Sequence, residues 1–266
     1  MSIGPAVDDG TLHRLAERLL RAENARSPIP PLTDTYPDLT VADAYAVQRA
    51  LIAHKLKEGA RVVGWKVGLT SRPMQEMFGI DTPDFGHLLD AMALPSGSEL
   101  PCSQLIAPRV EPEFAFVLAR DLAGPGVREE DALAATEAVM VALEVIDSRI
   151  EGWRIRLADT IADNASSARF VLGQDRRRPQ GLDLAALVLE LWVDGEVAAA
   201  GKGEAVLGHP ARAVAWLANA LGELGERLRR GQVVLSGAVV AAVPLRPGQR
   251  LAASCPGLGR VELTVV

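Results

Sequence analysis

Two glutamates stand two residues apart in PRVEPEFAFVL, and no other spacing in this 266-residue chain carries as much chemistry. If the run is a strand, its period of two puts Glu111 and Glu113 on one face, with Ala115 and Val117 beyond them. Carboxylates side by side at the mouth of an apolar strand repel one another, and burying them unpaired is costly or forces protonation. A third carboxylate, Glu144, interrupts the apolar run AVMVALEVID and also needs a partner. One divalent cation resolves all three conflicts. Oxygen-only ligands with no His or Cys beside them suit Mg²⁺, Mn²⁺ or Ca²⁺ rather than zinc. The plainer reading of the pair is a solvated strand face, and spacing alone does not make the two runs neighbours. Asp147 lies on the opposite face of its run by parity and is expected to bind Arg149 or a backbone amide.

Other polar residues sit in apolar surroundings. Lys66 in VVGWKVGLTS is either a snorkelling surface lysine or one held near an anion for substrate binding or proton handling. Gly64 and Gly68 flank it and permit close approach of backbone or ligand. Asp84, after Pro83, reads first as a turn residue. His87 is a general base or, more simply, structural. Asp163, Asn164, Ser166 and Ser167 form either a capped turn or a set of groups around a ligand. Arg109, beside the glutamate pair, is an anion clamp or a counter-charge, and His209-Pro210 reads as a helix cap. No GxSxG elbow supports a serine hydrolase.

The elements that must position these residues follow from periodicity. Residues 8–25 repeat Leu12, Leu15, Leu19 and Ala22 at helical spacing. The Pro-rich SPIPPLTDTYPDL should be an extended connector, followed by a second helix with Thr40 and Asp43 at its start and Gly59 past its end. From residue 61 short apolar runs predict strands, Asp194-Gly195 predicts a two-residue hairpin, and residues 211–224 form an amphipathic helix. Neither βα alternation nor a GxGxxG or Walker loop is present. The expected class is α+β, with a helical region over residues 1–60 packed on a β-rich catalytic domain over 61–266.

A net charge of −6 offers no general attraction to nucleic acid or anionic membrane. The opening MSIGPAVDDG has no secretory pattern, and no apolar stretch reaches the roughly 18–20 residues of a membrane span. Cys102 and Cys255 read as free thiols, and a cytoplasmic protein is expected.

The blocks GWKVGLTS, MFGIDTPDFGHLLDAM, PRVEPEFAFVL, ALEVIDSRIEGWRIRLADTIADNASS, GHPARAVAWLANAL and GQVVLSG occur in this order from about residue 30 onward. In them the chain resembles the 2-keto-4-pentenoate hydratase family of the fumarylacetoacetate hydrolase superfamily, which acts in meta-cleavage degradation of aromatic compounds. The resemblance implies a mixed β-roll body and one Mg²⁺ or Mn²⁺ on Glu111, Glu113 and Glu144. It also implies roles for Lys66 and Asp84 in catalysis and for Ser166 in substrate binding, with Arg109 a further candidate there. The implied substrate is a small anionic 2-hydroxydienoate or 2-oxo acid. A homo-oligomer is expected, with association with another pathway enzyme as a further possibility. The same family contains 4-oxalocrotonate decarboxylases. PDFGHLLDAM and Trp153-x-Ile155-x-Leu157-x-Asp159-Thr160 resemble the hydratase branch; SSARFVLG, Gly208-His209-Pro210 and AAVPLRPG resemble the decarboxylase branch. Hydration is the preferred expectation and decarboxylation the alternative. A non-catalytic partner subunit is a third reading, which the intact carboxylates disfavour.

Overall fold

The computed structural model describes residues 7–71, 75 and 82–266. The first residues of the opening segment and MFGID of the second family block therefore lie outside the described residues.

The N-terminal region is helical. Helix α1 (Asp9–Ala25) buries Leu12, Leu15, Leu19 and Ala22, and the Asp8 side chain caps it by accepting from the Thr11 amide. Helix α3 (Val41–Lys57) begins at the Thr40–Asp43 capping box, and Gly59 follows its end at φ 100°. The connector between them differs from expectation, because Leu32–Thr35 make a one-turn helix, α2. Pro30 and Pro31 precede that turn instead of interrupting it. The turn is tied down from outside: Asp159 accepts from the Thr33 amide at 3.0 Å and from its hydroxyl at 2.7 Å.

Among the described residues the body holds two sheets. Strands β1 (Val62–Gly68), β2 (Asp84–Leu89), β3 (Ala93–Leu94), β5 (Arg109–Leu118), β6 (Thr136–Ile146), β7 (Ser167–Leu172) and β10 (Val233–Ala238) run in the order β2-β1-β10-β5-β6-β7-β3. Strand β11 (Val243–Pro244) pairs with β5 outside that path. Of the apolar run VVAAVPL only these two residues form a strand, and Pro244 cannot donate to a ladder. A second sheet orders β4 (Ser98–Leu100), β13 (Gly259–Val265), β12 (Arg250–Cys255), β8 (Val188–Val193) and β9 (Glu196–Lys202) as β4-β13-β12-β8-β9. The β8–β9 hairpin turns at Asp194 and Gly195, both at positive φ, as their types require. Among the described residues, further α-helices are α4 (Glu129–Ala135), α5 (Leu157–Ala162) and α6 (Pro210–Glu223), the last capped by His209 Nδ1 accepting from the Ala211 amide.

The large sheet separates two apolar layers. Val110, Phe114 and Phe116 of β5, with Val141, Leu143 and Val145 of β6, pack into a core with the second sheet and α6. The alternate residues Ala115, Val117, Met140 and Ala142 pack against α1 and α3. Glu111, Glu113 and Glu144 share the parity of this second set, so they belong to the face covered by the N-terminal helices.

Candidate metal centre and active site

The β5–β6 register brings the three carboxylates together. Glu111 stands directly opposite Glu144, and Glu113 lies diagonally across, opposite Ala142. Like charges facing each other across a ladder are destabilising. Here Glu113 and Glu144 are buried and Glu111 half-buried, with one oxygen from each within 4.8 Å of the others. Strand β10 fixes Glu113 from the other side. Its register jumps from Leu235–Ala115 to Ala238–Glu113, a bulge that turns the Gly237 amide toward Glu113 Oε2 at 2.7 Å. Gly237 has φ 105°, and a Cβ there would come within 2.2 Å of Thr70 Oγ1, so position 237 takes only glycine.

Lys66 is neither exposed nor snorkelling. It is buried on β1, with Nζ 3.2 Å from Glu144 Oε2 and donating to the Ala165 carbonyl at 3.1 Å. Asp84 is not a loop residue: it opens β2, is buried, and its Oδ1 accepts no hydrogen bond from the protein. Gly68 is paired with Asp84, and a Cβ on Gly68 would come within 2.2 Å of that oxygen. Ser166 follows α5 in a buried turn, its hydroxyl also without a protein partner.

Burial and crowding set the charges. Burial raises Glu111 to about 7; Lys66 opposes the rise, while Glu144 and Asp84 add to it. Burial also pushes Glu113 well above the usual carboxylate range, helped by Glu144 and resisted by Lys66. Asp84 is raised to about 6 by burial, against the pull of Lys66. Burial alone would lower Lys66, but Glu144, Asp84, Glu111 and Glu113 together hold it above its ordinary value.

The donor set fits a hard divalent cation. Both Glu144 oxygens are buried and accept no hydrogen bond, with Lys66 as the neighbouring cation. Oxygens around Mg²⁺ at about 2.1 Å stand about 3–4 Å apart, so the cage needs only a slight contraction.

The other candidates fall outside this cluster. Arg109 lays its guanidinium over the Trp153 ring at 4.5 Å, from where its charge still favours ionised Glu111. His87 pairs with Trp65 on the face of β1–β2 opposite Lys66, so the structural reading replaces the general base; burial lowers it to about 4. Asp147 accepts from the Ile106 and Ala107 amides, while Arg149 is bound to Asp163. The sequence reading missed the Gly237 amide and the Ala165 carbonyl. A glycine closing the apolar run VVLSG was the available signal for the first; nothing in residue type marks the second.

A sheet carrying three clustered carboxylates beside a buried lysine and aspartate is an arrangement that could hold a divalent cation. Residues 55–266 match the fumarylacetoacetate (FAA) hydrolase C-terminal family, and the chain belongs to it. It is 45% identical to 2-hydroxyhexa-2,4-dienoate hydratase of Comamonas testosteroni, over 93% of this chain and 94% of that protein. It is 43% identical to 4-oxalocrotonate decarboxylase of Pseudomonas sp. (strain CF600), over 93% of this chain and 94% of that protein. Among solved structures, 4-oxalocrotonate decarboxylase from Pseudomonas putida G7, complexed with magnesium and adipate, superposes with a TM-score of 0.96 at 38% identity, covering 98% of this chain and 99% of that one.

Proposed function

We propose that the protein is a metal-dependent hydratase that adds water to 2-hydroxypenta-2,4-dienoate, or a close homologue, giving a 4-hydroxy-2-oxo acid. The observation that carries this reading is the carboxylate cage facing Lys66 and an Asp84 oxygen without a protein donor. Glu111, Glu113 and Glu144 would hold Mg²⁺ or Mn²⁺, which supplies Lewis-acid polarisation of the substrate's C2 oxygen when bound.

The chain's own groups account for the proton movements. The dienol must lose its O–H proton and gain one at C5, giving the α,β-unsaturated ketone; water then adds OH at C4 and H at C3. Lys66 donates one N–H to the Ala165 carbonyl and lies 3.2 Å from Glu144, so an N–H remains to donate to the substrate. Asp84, whose Oδ1 accepts no hydrogen bond from the protein, would take a proton from the hydroxyl or water and return it to carbon. The unpartnered Ser166 hydroxyl would donate to the substrate carboxylate. The family relationship and the 45% identical hydratase support this reading. So does the hydratase-like block PDFGHLL, which forms the strand that carries Asp84.

Decarboxylation of 4-oxalocrotonate is the second reading, supported by the close superposition on an adipate-bound decarboxylase. Purified protein with Mg²⁺ or Mn²⁺ should consume the dienoate with stoichiometric formation of the hydroxy-oxo acid. CO₂ release from the oxo-dioate without any dienoate hydration would overturn the first reading. Among the described residues no helix is long and apolar enough to cross a membrane. A homo-oligomer is expected and would appear as a multiple of 28.3 kDa in light scattering.

A further inference from the structure

Three consecutive non-glycine residues, Asn164, Ala165 and Ser166, are left-handed, with φ of 54°, 49° and 55°, and all three are buried. Each such residue costs about 1–2 kcal/mol, and a run of them persists only where its surroundings over-determine it. Two contacts do so here. Behind the turn, Arg149 grips Asp163 through its backbone amide at 2.9 Å and its guanidinium. In front, the Asn164 carboxamide pairs with β2 as another strand would: Oδ1 accepts from the His87 amide at 2.8 Å, and Nδ2 donates to the His87 carbonyl at 3.0 Å.

Strand β2 is the edge of the large sheet, so its outer face of backbone groups has no ladder of its own. Asn164 supplies the substitute. Contact is close enough that a Cβ on Gly86 would lie 2.5 Å from the Asn164 carbonyl oxygen. The two elements so joined carry the reacting groups. Asp84 is two residues before Gly86 on β2, whereas Ala165, whose carbonyl holds Lys66 Nζ, and Ser166 sit on the turn.

We propose that Asn164 is a positioning residue, whose carboxamide locks the edge strand bearing Asp84 to the left-handed turn that holds Lys66 and Ser166. It sets their mutual geometry without touching the substrate or the cation cage. The substrate side of this inference rests on the proposed reaction. Asparagine also suits the backbone, since it tolerates left-handed φ better than other side chains.

Asn164→Gly removes the carboxamide at no cost in φ and isolates its contribution. In the Mn²⁺-loaded enzyme, kcat should fall about tenfold to a hundredfold, the scale of a misplacement near 1 Å. Mn²⁺ affinity should stay within about twofold, and the His87 amide should exchange faster with D₂O. Asn164→Asp keeps the acceptor but turns a carboxylate on the His87 carbonyl, and should show the same split; it decides the matter if the glycine variant does not fold. An unchanged kcat, or a loss shared equally by kcat and Mn²⁺ affinity, would overturn the inference. If the wild-type protein turns over neither the dienoate nor the oxo-dioate, the proposed reaction fails instead. His87 exchange then decides the lock by itself, with unaltered protection counting against it.

Discussion

Glu144 concentrates the electrostatic problem of the site: it is fully buried, faces Glu111 across the ladder, and has Lys66 as its cationic neighbour. Glu144→Gln should therefore abolish the stabilisation by Mg²⁺, which for a bound cation at a hundred times Kd is about 2.7 kcal/mol. Isothermal titration with Mn²⁺ should show at least about 100-fold weaker binding, since loss of an outer-shell partner alone costs about 10–100-fold. Asp84→Asn tests the proton role separately. Turnover should drop about 10²–10⁴-fold with Mn²⁺ affinity retained; retained turnover would remove Asp84 from the mechanism. His87 offers a pH test away from the cage. Its pKa falls from 6.5 to about 4 on burial, so folding favours the neutral ring. Its contribution to stability is complete above pH 6.5 and is lost as pH falls toward 4, by up to about 3 kcal/mol. Urea unfolding at pH 7 and pH 5 should show a larger loss in wild type than in His87→Gln.

At the level of strands and turns, the β10 bulge joins backbone conformation to ligand orientation. Gly237→Ala would force a Cβ against Thr70 in a backbone region closed to alanine and withdraw the amide from Glu113. It should destabilise the protein by about 1–3 kcal/mol and weaken Mn²⁺ binding, read by urea unfolding and titration calorimetry. An alanine variant with wild-type stability and affinity would show that the bulge is not needed. Elements written in local pattern were legible in sequence: α1 from its leucine spacing, α3 from Thr40 and Gly59, and the hairpin from Asp194-Gly195. Strand β2 was not, because Pro83 and Gly86 punctuate its sequence as a turn does. What makes it a strand is non-local: its ladder with β1 and the Asn164 contact. Likewise the Glu111–Glu113 pair was visible by parity, but Glu144 joins it through a register that no local pattern specifies. Whether Lys66 is exposed or buried was set by other non-local pairings, those of β1 with β2 and β10.

For the molecule as a whole, the N-terminal helices form one wall of the catalytic face. Gln48 of α3 donates to the carbonyls of Phe85 on β2 and Ile161 on α5, at 2.9 and 2.8 Å. Asp159 of α5 holds α2 through Thr33. Beneath them lie Leu88, Ala115, Val117, Met140 and Leu235, all buried. A fragment beginning at residue 61 would expose that layer and leave these carbonyls unpaired. It should aggregate or unfold without a cooperative transition in calorimetry; a monomeric, cooperatively folding fragment that binds Mn²⁺ would contradict this account.

The β5–β6 ladder runs from Arg109–Ile146 to Leu118–Thr136, so the cage is gripped by backbone on both sides of its glutamates. Its shape is thus in place before any ion arrives, and loading becomes an exchange of protons for metal instead of a folding event. A protein built this way should keep its architecture when stripped of its ion and refilled, with an unchanged far-UV circular dichroism spectrum. Which ion it carries is then a property of the surroundings that supply it as much as of the chain.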